Sequence, residues 1–176
     1  ASIKLVDASK VTIAGNKITN AYFAIHVSNT SYATIKNNII TGTPTSEQLT
    51  GNGIHLWKSS YALIEYNNVQ GHRDGIYFEF VTHSTIRNNH SEKNIRYGLH
   101  FMFSNDDAYL NNTFRNNGAG VAVMYSKKVK MENNHFDQNW GPSAYGILLK
   151  DISDSYITHN TFYKNTVGIH MEGTSR

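Results

Sequence analysis

The sequence predicts an all-β fold: a right-handed, single-stranded parallel β-helix of about seven to eight coils, each about 22 residues long. Three observations predict it. A four-residue slot recurs as Gly53-Ile54-His55-Leu56, Gly75-Ile76-Tyr77-Phe78, Gly98-Leu99-His100-Phe101, Gly120-Val121-Ala122-Val123, Gly146-Ile147-Leu148-Leu149 and Gly168-Ile169-His170-Met171. A second slot, apolar-x-x-Asn, recurs at Ile13/Asn16, Ile35/Asn38, Ile64/Asn67, Ile86/Asn89, Tyr109/Asn112, Met131/Asn134 and Ile157/Asn160. The spacing between the two is constant: 53 to 67, 75 to 89, 98 to 112, 120 to 134 and 146 to 160 are all 14 residues. The return to the next coil varies instead, from 8 residues (67 to 75) to 15 (38 to 53) and 12 (134 to 146). Length variation confined to one segment is the mark of a solenoid, in which insertions leave at one edge and the coil closes as before.

Taken in order, the chain opens with two weaker copies, Ser2-Ile3-Lys4-Leu5 and Ala24-Ile25-His26-Val27, each followed by its Asn slot. The polar segment Thr43 to Asn52, containing Pro44, is the first insertion. Three coils of near-basic length then begin at Gly53, Gly75 and Gly98, and a fourth begins at Gly120. The second insertion, Trp140-Gly141-Pro142-Ser143, precedes the coil at Gly146, and the last begins at Gly168. Period-2 alternation assigns three core columns. One runs Ile3, Ile25, Ile54, Ile76, Leu99, Val121, Ile147, Ile169. The next runs Leu5, Val27, Leu56, Phe78, Phe101, Val123, Leu149, Met171, and the third follows the apolar member of the Asn slot. The glycines should mark tight turns, and the asparagines should stack as a hydrogen-bonded ladder rather than act in catalysis. Residues 1–176 form a single domain, and because the chain starts and stops inside repeats it is expected to be a fragment of a longer solenoid.

Composition narrows the function. The net charge of +3 is carried by scattered Lys and Arg with no basic run, which argues against nucleic acid as a partner. There is no Cys, so disulfides and thiolate metal sites are excluded. No apolar run is long enough for a direct membrane span.

Chemistry should lie on the outward columns of the first strand. One is His26, His55, Tyr77, His100, Ala122, Leu148, His170; the other is Ser28, Trp57, Glu79, Met102, Met124, Lys150, Glu172. Met102 and Met124 should be neighbours on adjacent coils, with His100 two residues from Met102 on the same face. Thioether and imidazole together make a soft donor set suited to transient Cu(I). The metal candidates are therefore Met102, Met124 and His100, with Glu79 and His55 next. Two other readings of the patch stay open. It can be an apolar surface covered by a partner. It can also be a polysaccharide groove, with Trp57 and Tyr77 stacking on sugars and Arg73, Asp74 and Glu79 available to a lyase, epimerase or hydrolase. A turn ion pair within His72-Arg73-Asp74 explains that segment equally well.

Four stretches carry a resemblance: Gly53 to Trp57, Gly71 to Ile76, His100-Phe101-Met102-Phe103-Ser104-Asn105-Asp106, and Val121-Ala122-Val123-Met124-Tyr125-Ser126. The repeat resembles the parallel β-helix repeats of the carbohydrate-binding and sugar-hydrolysis domain group, and these stretches within it resemble the NosD family. That resemblance implies a periplasmic, non-catalytic accessory factor for maturation of nitrous oxide reductase. It implies partnership with an ABC transporter, of which NosF is the ATPase and NosY the membrane protein. It also implies copper received from the chaperone NosL.

Overall fold

The computed structural model describes residues 1–142 and 144–174. Ser143, the last residue of the second predicted insertion, lies outside them. Three parallel sheets of eight, seven and seven strands make the walls of a β-solenoid of about 22 residues per coil. The first wall is built from Ile3–Val6, Ile25–Ser28, Ile54–Trp57, Asp74–Glu79, Tyr97–Met102, Ala119–Met124, Tyr145–Lys150 and Val167–Glu172, stacked in chain order. The second wall starts at Thr12–Ala14 and the third at Lys17–Thr19. Each of the first seven coils contributes one strand to each wall, the eighth adds Val167–Glu172 to the first wall, and every strand pairs with its own copies one repeat away.

The predicted register is the observed one. Ile76 pairs with Ile54 and Leu99, and Phe78 with Leu56 and Phe101. The core columns are sealed from water through the middle coils, where Ile54, Leu56, Ile76, Phe78, Leu99 and Phe101 are fully buried. Each such side chain contributes roughly 2 kcal/mol, set against the entropy of fixing the chain. The third wall adds a phenylalanine stack, Phe114–Phe136–Phe162, at ring separations of 5.5 and 4.9 Å. Met171, assigned to the core by its column, is instead 53% exposed. It sits on the last described coil, whose inner face no described rung covers.

The asparagine ladder is present and continuous. Each side-chain Nδ2 donates to Oδ1 of the next rung, from Asn16 to Asn38, Asn67, Asn89, Asn112, Asn134 and Asn160. The same Oδ1 accepts a backbone N–H of the rung before it, and Nδ2 donates again to a carbonyl of the preceding coil (Asn89 to Ile64). A second ladder, Asn94, Asn117, Asn139, Asn165, lines another corner and was not read from the sequence.

The recurrent glycines serve a different purpose from the one expected. None of Gly53, Gly75, Gly98, Gly120 or Gly146 has a positive φ, so no turn requires them. A Cβ on each would meet the carbonyl oxygen of the next glycine at 2.5–2.7 Å. They are needed because adjacent coils approach too closely for any side chain. The strand bends there: Gly75 and Ile76 both face the interior, which frees Asp74 to point outward.

Candidate functional site

The outward face of the first wall carries the predicted columns in the predicted order. His26 pairs in register with His55, His55 with Tyr77, Tyr77 with His100 and His100 with Ala122. Beside them run Trp57, Glu79, Met102, Met124 and Lys150. Met102 and Met124 are thus direct neighbours on adjacent strands, both half-buried. Glu79 flanks Met102 on the other side. His55 does not join this group. It lies two strands from His100, roughly 10 Å at the strand spacing of parallel sheets, with the Tyr77 ring between.

His100 is not on a wet face as its column implied. It is 5% exposed, enclosed by the rings of Tyr77 at 5.1 Å and Tyr97 at 4.8 Å. Beneath it sits Asp74, fully buried. The turn ion pair expected between Arg73 and Asp74 is absent. Asp74 instead accepts from Arg96 in a two-pronged contact, Nε to Oδ1 at 3.1 Å and Nη2 to Oδ2 at 2.8 Å. Its Oδ2 also lies 3.3 Å from Nδ1 of His100. Burial works to raise the Asp74 pKa, yet His100 and Arg96 outweigh it and hold the carboxyl below its usual range. Facing an ionised carboxylate, Nδ1 of a neutral ring must be the protonated nitrogen, which leaves the lone pair on Nε2. That Nε2 is buried and has no hydrogen-bond partner among the described residues.

The first insertion reaches this cluster. Glu47 accepts from Arg96 Nη1 at 3.1 Å, so the loop is tied over the site by the guanidinium that also holds Asp74. Trp140 and Pro142 of the second insertion border a groove of about 370 Å³ with Arg96 and Tyr97. Both insertions therefore flank the patch. The Glu47–Arg96–Asp74–His100 chain was missed in the sequence reading because its members lie in four separate segments. Only the 22-residue spacing of Asp74 and Arg96 hinted at it.

The remaining candidates are scattered around this centre. Trp57 is half-buried with Lys58 Nζ 4.4 Å over its ring. Burial, then Glu79, raises the Tyr77 pKa, so its phenol stays protonated. The Arg73 side chain makes no ion pair with Asp74, and its Nε is buried without a hydrogen-bond partner among the described residues. Next to the methionines, Phe80, Phe103 and Tyr125 stack at 5.3 and 5.1 Å, exposed and at positive φ of 54°, 48° and 52°. Bulky residues rarely take that conformation. The serines of the same stretches are structural: Ser104 Oγ donates to the Met102 carbonyl, and Ser126 Oγ donates to Met124 and accepts from Ser104 N–H.

A sequence model of the NosD family, described as periplasmic copper-binding protein, matches residues 40–176. The chain belongs to the NosD family. The family description places it in the periplasm, and among the described residues no helix is long and apolar enough to cross a membrane. No curated protein sequence matches. Among solved structures, the DFA-IIIase of Arthrobacter chlorophenolicus A6 is similar at a TM-score of 0.80 and 16% identity, over 91% of this chain and 43% of that one. A variant of the periplasmic alginate epimerase AlgG is similar at 0.66 and 14%, over 97% of this chain and 47% of that one. PfbA, a surface adhesin of Streptococcus pneumoniae, is similar at 0.56 and 10%, over 97% and 62%. At these identities the likeness is one of fold. The chain spans less than half the length of the first two.

Proposed function

We propose that this NosD-family chain is a non-catalytic platform that holds Cu(I) in passage to nitrous oxide reductase. Met102, Met124 and His100 are its donors. The observation that carries the reading is the in-register thioether pair beside an imidazole whose Nδ1 is held by a buried carboxylate. Histidine ligands are commonly oriented in this way, with the carboxylate fixing the tautomer and strengthening the free nitrogen as a donor. Soft sulfur with neutral nitrogen suits Cu(I) and not the hard divalent cations. Glu79, next to Met102, is placed to favour the cation's charge. Copper is the cargo here, supplied by the chaperone NosL, and the NosF ATPase and NosY membrane protein form the transporter it works with. The stacked Phe80–Phe103–Tyr125 stripe gives such partners an apolar edge beside the donors.

The polysaccharide reading is weaker. One of its two carboxylates, Asp74, is fully buried and already engaged by Arg96 and His100, which leaves Glu79 without an accessible acidic partner in the pair. An anaerobic Cu(I) titration against a chromogenic competitor tests the proposal. Met102→Ala/Met124→Ala is expected to weaken binding at least about tenfold, and Asp74→Asn by about 10–100-fold as an orienting group. Unchanged affinity in the double methionine variant sinks the ligand assignment. Turnover of an alginate or pectin panel by the parent protein would favour the enzyme instead.

A further inference from the structure

The grip of Arg96 on Asp74 has a counterpart one coil earlier, with one member exchanged. Arg96 stands two residues before Gly98, and Asp74 one residue before Gly75. Arg73 and Asn52 hold the same two places before Gly75 and Gly53. Backbone hydrogen bonds keep the arginines in one column: Arg73 N–H donates to the Gly51 carbonyl and Arg96 N–H to the Arg73 carbonyl. Asp74 N–H donates to Oδ1 of Asn52 at 3.3 Å, so the amide lies on the rung before the carboxylate. The earlier copy therefore has the guanidinium and lacks the acid.

Its donors are left without acceptors. The Asp74 N–H fixes which end of the Asn52 amide is the oxygen, and Nδ2 is the other end. Asn52 is fully buried, and that Nδ2 has no hydrogen-bond partner among the described residues. Nε of Arg73 is buried and unpartnered in the same way. Arg96 enters ion pairs with Asp74 and Glu47, whereas Arg73 enters none among the described residues. Nδ1 of His55, three residues after Asn52, is also buried without a partner. Burial lowers the pKa of that ring to about 4, with the charges of His26 and Arg73 adding to the effect. The adjacent carboxylate, Asp74, is committed to Arg96 and His100. Buried N–H groups without acceptors are destabilising, and the half-buried guanidinium stays charged. A neutral acceptor would answer the first and not the second. Arg96 shows the shape of the missing group: it takes Asp74 through Nε and Nη2, one oxygen to each.

We propose that Arg73 and Asn52 form a binding site for the carboxylate of a molecule outside this chain, seated on Arg73 as Asp74 is seated on Arg96. Asn52 is sealed and Arg73 is half-buried, so the carboxylate enters along the guanidinium. The site uses none of Met102, Met124 and His100, and does not depend on the copper reading.

The test uses acetate as the probe, added at constant ionic strength to the ¹⁵N-labelled parent protein, with acetamide as the neutral control. The Nε–H signal of Arg73 and the side-chain amide of Asn52 are expected to shift saturably with acetate and to stay still with acetamide. A second arm uses N-acetylglutamate α-amide, which carries the group as an acidic protein side chain does. Tighter binding of this compound supports a site for a partner's side chain, and tighter binding of acetate supports a site for a free acid. Signals unmoved by both overturn the proposal. Arg73→Gln should weaken acetate binding at least about tenfold. Asn52→Asp supplies the carboxylate from within: it should abolish the acetate response at Arg73 and melt no lower than the parent. An Asn52→Asp protein that melts well below the parent, as a buried unpaired charge would make it, or that still binds acetate, overturns the proposal.

Discussion

Replacing Arg96 by methionine removes the side chain that ties Glu47 of the first insertion to the buried carboxylate of the site. Asp74 would lose two hydrogen bonds, of 3.1 and 2.8 Å, while remaining fully buried with His100 as its sole partner. Stripping one member from a buried ion pair costs about 3–5 kcal/mol, because the other charge is left desolvated. The Glu47 contact is exposed and adds at most about 1 kcal/mol. The loss should therefore fall near 4 kcal/mol, almost all of it from Asp74. Its pH dependence has a definite sign. In the parent, the lowered Asp74 pKa contributes stability that is present above the unfolded value of 3.8 and lost as pH falls through the folded pKa. The gap between parent and variant should accordingly be widest near neutral pH and narrow in acid. Urea unfolding followed by far-UV circular dichroism, with midpoints compared at equal slope, measures it. Adding Asp74→Asn to the variant neutralises the stranded charge and should recover a large part of the loss. A loss below about 1 kcal/mol in Arg96→Met, or no recovery in the double variant, refutes the claim that this buried pair organises the site.

Other expectations follow from the same contacts. Asn89→Ala strands the Asn67 backbone N–H, the Ile64 carbonyl and one contact of Asn112, all buried, and should cost about 3–5 kcal/mol by urea unfolding. Asp107 is pushed up to about 8 by burial, against the Ser84 N–H it accepts and with Asp106 adding to the rise. Its proton is held in the folded state and lost from the unfolded chain above about pH 4, so parent stability should fall from there to about pH 8. Each tenfold step in proton affinity is worth about 1.4 kcal/mol, which makes this on the order of 5 kcal/mol. Asp107→Asn should flatten that segment of the pH–stability curve, and an unaltered slope would disprove the assignment. Gly98→Ala places a methyl 2.7 Å from the Gly120 carbonyl and 2.8 Å from Phe114, so a thermal scan should show it far less stable than the parent.

The repeat made most of the fold legible. A fixed 14-residue gap sets the register, and the register sets which residues line the core, so Ile76 meeting Leu99 and Met102 meeting Met124 followed from counting alone. Counting fails where a side chain departs from its column. Asp74 has the parity of a core residue, and only the bend at Gly75 turns it outward. His100 has the parity of a surface residue, and its burial comes from the rings of Tyr77 and Tyr97, which periodicity does not weigh. Glu47 lies in an insertion, the one segment without a periodic counterpart, so nothing in the pattern pointed it at Arg96. Met171 shows the converse: its column is right, but a column seals only where another coil follows.

The asparagine ladder has a direction. From Asn38 to Asn134 each rung donates one amide hydrogen to Oδ1 of the next rung and turns the other back to a carbonyl of the preceding coil, while its own Oδ1 accepts from the rung before. A section cut between two rungs of this ladder therefore presents amide oxygens on one face only, that of the later coil. Two such sections match head to tail and clash head to head. The solenoid is thus a polar fibre in miniature, and its side-chain amides add to one axial dipole. A charge held against the outward wall sits in a field with a fixed sense along the rod, so opposite ends of the histidine column are electrostatically unlike even where their residues are the same.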